Sequence, residues 1–320
     1  MRALATVTLL LLAAAPCASA QTDECTALPE FDNARQTCHA AVDFARAYYP
    51  LAGLAVSGGN PVLAQGGTAG RLGAVTVTLR ANAFQLHVPD LNSVSGGGTV
   101  AQRSSLLGPA PLLEAQVGLF PGLRNGFLAV DLLAAAQLVP NEDFADGIRV
   151  DSGAAKIGPV SLGLGFGARV GVMSEAKGRP AMAVSVMRRS IPRVGYGDVT
   201  AGDQIQADAD LVAWNVRGTI GKQLGLLMLA GGAGWSRYAG TAHAAYDVGP
   251  APGQQGTLSL DLAQSRWMTF VDAGLHLGVF RFTGEIGYQF GVDQHLDTTF
   301  EGYDDTTGTV FYAAGLQFGI

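Results

Sequence analysis

Residues 309–320 read TVFYAAGLQFGI, and the alternation along this stretch decides the fold. A β-strand points successive side chains to opposite faces, so a two-residue period indicates a strand with two unlike surfaces. One face is apolar, and it consists of Val310, Tyr312, Ala314, Leu316, Phe318 and Ile320. The other is mostly small or polar, and it consists of Thr309, Phe311, Ala313, Gly315, Gln317 and Gly319.

Nine further segments repeat this pattern upstream. The clearest covers 158–173, where residues such as Leu164 and Phe166 alternate with glycines and Arg169. In the eighth segment the alternation changes parity near Gln264, which predicts a β-bulge. The ten predicted strands cover about 72–87, 111–120, 127–138, 158–173, 180–193, 208–222, 224–238, 258–278, 279–292 and 309–320.

The connections between these segments alternate in length. Short turns at 121–126, 174–179, Gln223 and Gly278 follow the even-numbered strands, and long polar connections follow the odd-numbered ones. Bacterial membrane barrels have short periplasmic turns and long outer loops. With both termini periplasmic, the strand number must be even. The sequence therefore predicts an all-β fold, a closed antiparallel transmembrane β-barrel of about ten strands. Twelve strands remain possible if the ambiguous seventh segment hides a pair.

Composition agrees with a chain that is largely surrounded by a non-aqueous phase. Charged residues make up 14% of the chain, hydrophobic residues 48%, and there are 44 glycines, whereas soluble domains have roughly 25% charged residues. Beyond the first residues, no stretch approaches the ~18–20 apolar residues of a membrane helix. The net charge of −6 and the pI near 5.3 leave no basic surface, which argues against nucleic acid as a partner.

Residues 1–20 have the pattern of a secretory signal peptide, with Arg2, an apolar stretch and small residues before a cleavage point near Ala20. A lipoprotein signal that uses Cys17 is the alternative, although the proline before it fits that motif poorly. After cleavage Cys25 and Cys38 remain, and in an oxidising compartment we expect them to form a disulfide.

Residues 21–70 form a separate N-terminal segment ahead of a barrel over 71–320. Apolar residues recur at helical spacing from Pro29 to Tyr49, which predicts a helix that Pro50 ends. A glycine-rich connector follows. The helix either lies beneath the barrel in the periplasm, which the sequence favours, or plugs its mouth.

The side chains that face the predicted lumen are the candidate site. Six arginines outnumber four carboxylates, which would suit a pore that prefers anions. The alternative is a packed interior of ion pairs, since small barrels have lumens that side chains can fill; for about ten strands a closed interior is favoured. The candidates are Arg80, Glu114, Asp131, Arg169, Arg189, Arg217, Arg266, Asp272, Arg281 and Glu285.

Neither catalysis nor a bound group is indicated by the sequence. The five histidines are scattered and form no ligand cluster, so we expect no metal and no cofactor. His243 and His295 are predicted in or near outer loops, but no serine–histidine or paired aspartate spacing accompanies them. We therefore expect that the protein is not an enzyme, with a hydrolase at the barrel rim as the less favoured alternative.

On these residues the chain resembles the outer-membrane β-barrel proteins of Gram-negative bacteria. Tyr312, Leu316 and Phe318 are similar to the terminal signal that barrel-assembly machinery reads, although Ile320 replaces the usual final phenylalanine. The resemblance implies an outer-membrane location, contact with membrane lipid and lipopolysaccharide, and assembly machinery as a partner.

A weaker resemblance is to long-chain fatty-acid transporters of the outer membrane, in which an N-terminal segment with an Asn-Pro element plugs the lumen. Asn60-Pro61 follows the predicted helix in that order. Two functions remain open. One is passive or plug-gated passage of small or amphipathic, lipid-like solutes. The other is a structural or surface-interaction barrel with a filled lumen.

Overall fold

The computed structural model describes Cys25 and residues 32–95, 98–140, 148–150, 154–157, 160–251 and 253–320. The predicted signal peptide, residues 1–20, lies outside the described residues and stays a prediction.

Ten long strands form the barrel wall. In chain order they are β1 (Val75–Ser95), β2 (Thr99–Phe120), β3 (Val130–Pro140), β4 (Val160–Met173), β5 (Ala181–Tyr196), β6 (Ile205–Leu224), β7 (Leu227–Asp247), β8 (Gln255–Leu277), β9 (Phe280–Gln289) and β10 (Thr309–Gly319). Three short strands add to the wall at Ile148–Val150, Lys156–Ile157 and Thr299–Phe300. Two single-turn helices lie in connections, at Arg124–Gly126 and Val199–Ala201.

Each strand of the wall pairs antiparallel with its neighbour in sequence, and β10 pairs back onto β1 from Thr76 opposite Gly319 to Phe84 opposite Phe311. The sheet therefore closes on itself. Connections 225–226 and 278–279 are two-residue turns at one end, and connections 141–159 and 290–308 are the long loops at the other. By the rule for membrane barrels the long-loop end is the outer end. The prediction of a closed antiparallel barrel of about ten strands is confirmed.

The outer surface of the wall is apolar. Leu164 is 62% exposed, Phe166 60% and Trp267 60%, and other large apolar side chains continue this surface around the barrel. A monomer in water rarely exposes a continuous apolar surface of this kind, so this wall requires lipid around it. Among the described residues, no helix is long and apolar enough to cross a membrane.

The predicted β-bulge near Gln264 is wrong. β8 pairs with β7 without a register shift from Gln255 to Leu275, and Gln264 and Arg266 both face the lumen. The apparent change of parity has another cause: Leu260 and Leu262 also face inward, where they are buried in a core cluster. They pack there because the interior of the outer half of the barrel is occupied by a helix.

That helix, α1 (Asp32–Ser57), is longer than the sequence predicted, and Pro50 lies inside it. Proline has no N–H, so the carbonyl four residues earlier loses its helical donor. That carbonyl belongs to Arg46, and Gln264 Nε2 of β8 donates to it at 3.1 Å. The proline is tolerated because the barrel wall supplies the missing donor.

The outer part of β1 and β2 also differs from the prediction, which placed a loop between about 88 and 110. The two strands instead continue as a hairpin over residues 85–108, the outer hairpin, with register shifts at Pro89. β2 pairs with β3 only between Leu112 and Phe120, so the outer hairpin stands beyond its neighbours in the wall.

Candidate functional site

The helix α1 lies inside the barrel rather than beneath it. It contacts β1, β2, β5, β6, β7 and β8, which lie on different sides of the lumen. Its apolar face packs into one cluster with inward side chains of the wall, among them Phe44 and Tyr49 of the helix and Leu211 and Tyr238 of the wall. The helix and the connector that follows it, residues 32–72, are called the plug below.

The plug runs from the outer end to the periplasmic end. Asp43, in the helix, contacts the long outer loop at Thr298, and Ala69, in the connector, contacts Asp131 on β3. The connector then enters β1, where Gly73 N–H donates to the carbonyl of Gly118 at 2.8 Å. The helix therefore begins at the outer end, whereas the predicted periplasmic position of the N-terminus falls on residues outside the described ones.

Two wall arginines converge on the end of the helix. Gly58 closes the last turn with φ +54°, a left-handed conformation that suits glycine, and its N–H donates to the carbonyl of Leu54 at 2.9 Å. Helix C-termini leave carbonyls without intrahelical donors and carry partial negative charge. Arg189 donates to the Ser57 carbonyl at 2.8 Å, and Arg217 donates to the next two carbonyls at 3.2 and 3.1 Å.

Asn60 connects the plug to four parts of the wall. Its carbonyl accepts from Arg80 at 2.6 Å, and its side-chain amide donates to Asp272 at 2.7 Å. Its side-chain oxygen accepts from Arg169 at 3.3 Å, and its backbone N–H donates to Glu285 at 2.6 Å. These four residues lie on β1, β8, β4 and β9, so one asparagine fixes the connector against strands that surround it.

Buried ion pairs link the same residues around the lumen. Arg80 lies 2.6 Å from Glu285 and 3.6 Å from Glu114, which in turn lies 2.7 Å from Arg189. All four side chains are almost fully buried. Buried charge is tolerated when it is paired and hydrogen-bonded, and here the plug backbone supplies part of that bonding.

The part of the connector nearest the periplasmic end, residues 66–69, lies in direct contact with the wall. Thr219 Oγ1 donates to the Gly66 carbonyl at 2.9 Å, and Asp131 accepts from the N–H of Ala69 at 2.9 Å. A Cβ on Gly66 would overlap with the backbone of Gly221 on β6. Glycine is needed here because two backbones meet without space for a side chain.

The outer end of the plug is held by the loop between β9 and β10. Asp43 accepts from the backbone N–H groups of Asp297 and Thr298, both at 2.9 Å, and Tyr303 donates to the Ala47 carbonyl at 2.7 Å. Burial raises the pKa of the Asp43 carboxyl above its usual value, although the N–H of Thr298 and the charge of Arg46 oppose the shift. Burial also raises the pKa of Tyr303, to about 12.

Cys25 and Cys38 form a disulfide, with an S–S distance of 2.08 Å. Cys38 lies in the first turns of α1, and both sulfurs belong to the cluster that packs against the wall. The bond therefore joins Cys25 to the part of the helix nearest the outer end.

The ten lumen candidates all lie on strand faces that point inward, but they do not form one group. Eight gather around the connector, where they bind its backbone, Asn60 or each other. Arg266 lies apart, beside Gln264 in the outer half, with Nη2 3.2 Å from Gln264 Oε1. Arg281 lies close to the periplasmic end and is only half-buried. Within the described residues, no group of histidine, cysteine and carboxylate side chains is placed to hold a metal ion.

One serine–histidine pair that sequence spacing did not reveal lies on the outside of the wall. Ser259 Oγ and His243 Nδ1 are 2.9 Å apart across β8 and β7. Both side chains face away from the lumen, and Ser259 is exposed. Among the described residues, no carboxylate lies within 4.0 Å of the His243 ring. Asp208 of β6 lies opposite His243 in the register of the wall, but its carboxylate is 3.5 Å from Arg193 instead of being bonded to the His243 ring. A catalytic histidine needs such a group to orient its ring.

Sequence reasoning identified the wall arginines but missed what they bind. Ser57, Gly58 and Gly59 act through backbone carbonyls, which leave no side-chain signal. Gln264 and Tyr303 were missed as well, since each is an ordinary polar residue in the sequence. Asn60 was noticed only through the Asn-Pro element of the fatty-acid transporters.

No protein-family model and no curated protein matches the chain. Among solved structures, it is similar to the outer-membrane protease OmpT from Escherichia coli, with a TM-score of 0.40 and 12% identity over 78% of this chain and 94% of that one. It is also similar to the translocator domain of the autotransporter NalP from Neisseria meningitidis, with a TM-score of 0.32 and 8% identity over 87% and 96%. A third is Neisserial surface protein A, with a TM-score of 0.29 and 8% identity over 77% and 96%.

These proteins have different roles, so the likeness concerns the barrel and not an activity. The closed sheet and its apolar exterior give the chain the fold of a membrane β-barrel, as the sequence predicted. The resemblance to fatty-acid transporters stays a prediction.

Proposed function

We propose that this outer-membrane barrel is closed in its resting state and does not work as an open pore. The observation that supports the proposal is the path of the plug, which is bound from Asp43 at the outer end to Ala69 near the periplasmic end. The structural or surface-interaction role is therefore favoured over free passage of solutes. The outer hairpin and the loop between β9 and β10, which cover the plug, are the surfaces that a partner outside the cell would meet.

Plug-gated passage is the second candidate, and one observation favours it. The connector from Gly58 to Arg71 has no regular helix or strand, and side-chain bonds to the wall hold much of it. A segment held in this way can leave without breaking a strand of the barrel. A solute of small or amphipathic character would then pass through the lumen if the helix, which occupies its outer half, moves together with the connector.

We also propose that the barrel has no catalytic role. The Ser259–His243 pair is the strongest candidate against it. A fluorophosphonate probe should leave Ser259 unlabelled, because Asp208, the carboxylate opposite His243, lies 3.5 Å from Arg193 and does not hold His243 as a general base. Labelling at Ser259 that Ser259→Ala abolishes would identify a hydrolase.

The proposed partners follow from the two surfaces of the wall. Membrane lipid and lipopolysaccharide would cover the apolar exterior, and barrel-assembly machinery would read β10, which closes the barrel against β1. Deletion of β10 should prevent folding into the outer membrane while the chain is still exported.

Conductance in planar bilayers tests the closed barrel. We expect silence from the full chain and discrete current steps from a chain that lacks residues 21–66. Steps of equal size from both would show that the plug does not close the lumen. Silence from both, with a folded deletion variant, would show that wall side chains alone fill the interior and would exclude plug-gated passage.

A further inference from the structure

The barrel wall is incomplete at the seam between its first and last strands. β1 and β10 pair only as far as Phe84 opposite Phe311, whereas β1 continues beside β2 to Ser95. Beyond that point Val310 and Thr309 pair with β9 alone. A window is therefore left between the outer part of β1 and the start of β10.

The window exists because the outer hairpin bends away from the wall and across the lumen. Leu91, near its tip, packs in the same core cluster as Ile205 of β6. The Leu91 carbonyl accepts from the N–H of Gln204 at 3.1 Å, and Asn92 donates to Asp203 at 3.1 Å. A hairpin that is fixed to β6 and the loop before it cannot also extend the seam with β10.

A cavity of about 550 Å³ lies at this window. Small-molecule sites have volumes of about 300–1,000 Å³. The cavity reaches from the lipid-facing surface to the plug, and its lining includes Leu51, His87, Ser105, Asp304, Val310 and Tyr312.

The lining is apolar on two sides and polar on the third. Val310 is 42% exposed and Tyr312 47% exposed on the lipid-facing surface. The inner side is Leu51 of the plug, which belongs to a buried cluster with Phe84 and Phe311. Gln85, Thr307 and Thr309 also line the cavity, so its apolar contacts are confined to these outer and inner side chains. An alkyl chain could extend from Val310 at the membrane side to Leu51 at the plug.

The polar side lies on the outer hairpin and the loop after β9. It carries His87 and Ser105 from the hairpin and Asp304 from the loop. Hydrogen bonds from Thr306 and Thr307 lower the pKa of the Asp304 carboxyl, which is therefore charged at neutral pH. A carboxylate here would attract hydrogen-bond donors and repel an anionic head group.

We infer that the window is a binding site for a single-chain amphiphile. Its alkyl chain lies between Val310 and Leu51, and its head, which carries hydroxyl or ammonium donors, lies beside Asp304 and His87. The membrane around the barrel and the medium outside are both sources of such molecules. Binding at this site does not require a solute to pass through the lumen, so the inference holds whether or not the plug moves.

Photolabelling in lipid nanodiscs tests the site on the full-length protein. The probes are two amphiphiles with the same diazirine-bearing alkyl chain, one with a glycerol head and one with a carboxylate head. Each is either mixed into the nanodisc lipid or added from water, which distinguishes the two sources. We expect the glycerol probe to label peptides that contain Leu51 and Asp304, and the carboxylate probe to label them less.

Val310→Trp places an indole in the window, and Val184→Trp is its matched control, because Val184 is also 42% exposed on the lipid-facing surface. We expect Val310→Trp to reduce labelling of the window peptides roughly tenfold, a loss of about 1.4 kcal/mol of binding. Val184→Trp should leave it unchanged. Both variants must show the gel mobility shift on heating that marks a folded barrel.

Three results would overturn the inference. Labelling that is even around the barrel would indicate ordinary contact with membrane lipid. Equal labelling of both tryptophan variants would show that the window is not where the chain binds. Stronger labelling by the carboxylate probe would contradict the role given to Asp304.

Discussion

Replacement of Asn60 by alanine should release the connector without unfolding the barrel. The side chain makes two hydrogen bonds to groups of the wall, to the Asp272 carboxyl at 2.7 Å and from the Arg169 guanidinium at 3.3 Å. A hydrogen bond contributes about 0.5–1.5 kcal/mol, or about 1.5–3 kcal/mol when one partner is charged as Arg169 is, so the two amount to roughly 2–4.5 kcal/mol. We take about 3 kcal/mol from this range, which increases the open fraction of the connector roughly a hundredfold.

Hydrogen–deuterium exchange in nanodiscs measures that change directly. Peptides that cover residues 58–72 should exchange roughly a hundredfold faster in Asn60→Ala than in the unmodified chain, while strand peptides keep their protection. Asn215→Ala is the matched control. Asn215 is also a buried lumen asparagine, but its hydrogen bonds to Arg189 and Ser236 stay within the wall. Equal exchange of the connector in the two variants would refute the assignment of Asn60 as its main anchor.

Three further changes test other parts of the plug. Gly53→Ala should destabilise it by about 1–3 kcal/mol, although alanine normally favours a helix, because the new Cβ would lie 2.5 Å from the ring of Tyr238. Gln264→Leu should cost about 1–3 kcal/mol, since it removes the hydrogen bond that Gln264 donates to the Arg46 carbonyl. Because burial raises the pKa of Asp43 above 3.8, the docked loop binds protons more tightly than the free loop. Its docking should therefore weaken as the pH rises through the raised pKa.

Hydrogen–deuterium exchange measures the effect of all three changes. For Gly53→Ala and Gln264→Leu the readout is the urea concentration at which plug peptides lose protection from exchange, and a rise in either variant would contradict the contacts. For Asp43 the readout is protection of the loop amides at 297–298 between pH 4 and pH 8, corrected for intrinsic exchange. Asp43→Asn should remove the pH dependence; a dependence of unchanged size in that variant would assign it to another group.

Much of the barrel could be predicted from the sequence because the physical constraint is local. Lipid on one side and lumen on the other impose a two-residue period, and Arg169 and Asp131 fall on the inward side by counting alone. The two-residue period cannot show which face points inward where both faces of a strand are apolar. Leu260 and Leu262 point toward the helix and not toward lipid. Because they are apolar, the sequence placed them on the lipid side and predicted a bulge after them.

The plug could not be placed in the same way, because its contacts join residues that are far apart in the chain. Asn60 meets Asp272 and Glu285 across more than two hundred residues. Pro50 lies inside the helix, and Gln264 of β8 donates to the carbonyl that the proline leaves without its helical donor. Neither contact can be recognised from the neighbouring sequence. The backbone carbonyls that the wall arginines bind cannot be recognised from sequence either, because every residue has one.

The position of the helix inside the barrel is the claim on which the account depends, and a designed disulfide tests it most directly. A Cβ on Gly53 would lie 2.7 Å from Cγ of Tyr238, so the two Cβ atoms are within roughly 4 Å, the separation that a disulfide needs. Gly53→Cys with Tyr238→Cys should therefore form an intramolecular bond in the folded protein. Gly53→Cys with Arg237→Cys, whose side chain points outward, should form none. A cross-link in the second pair, or none in the first, would contradict a helix that occupies the lumen.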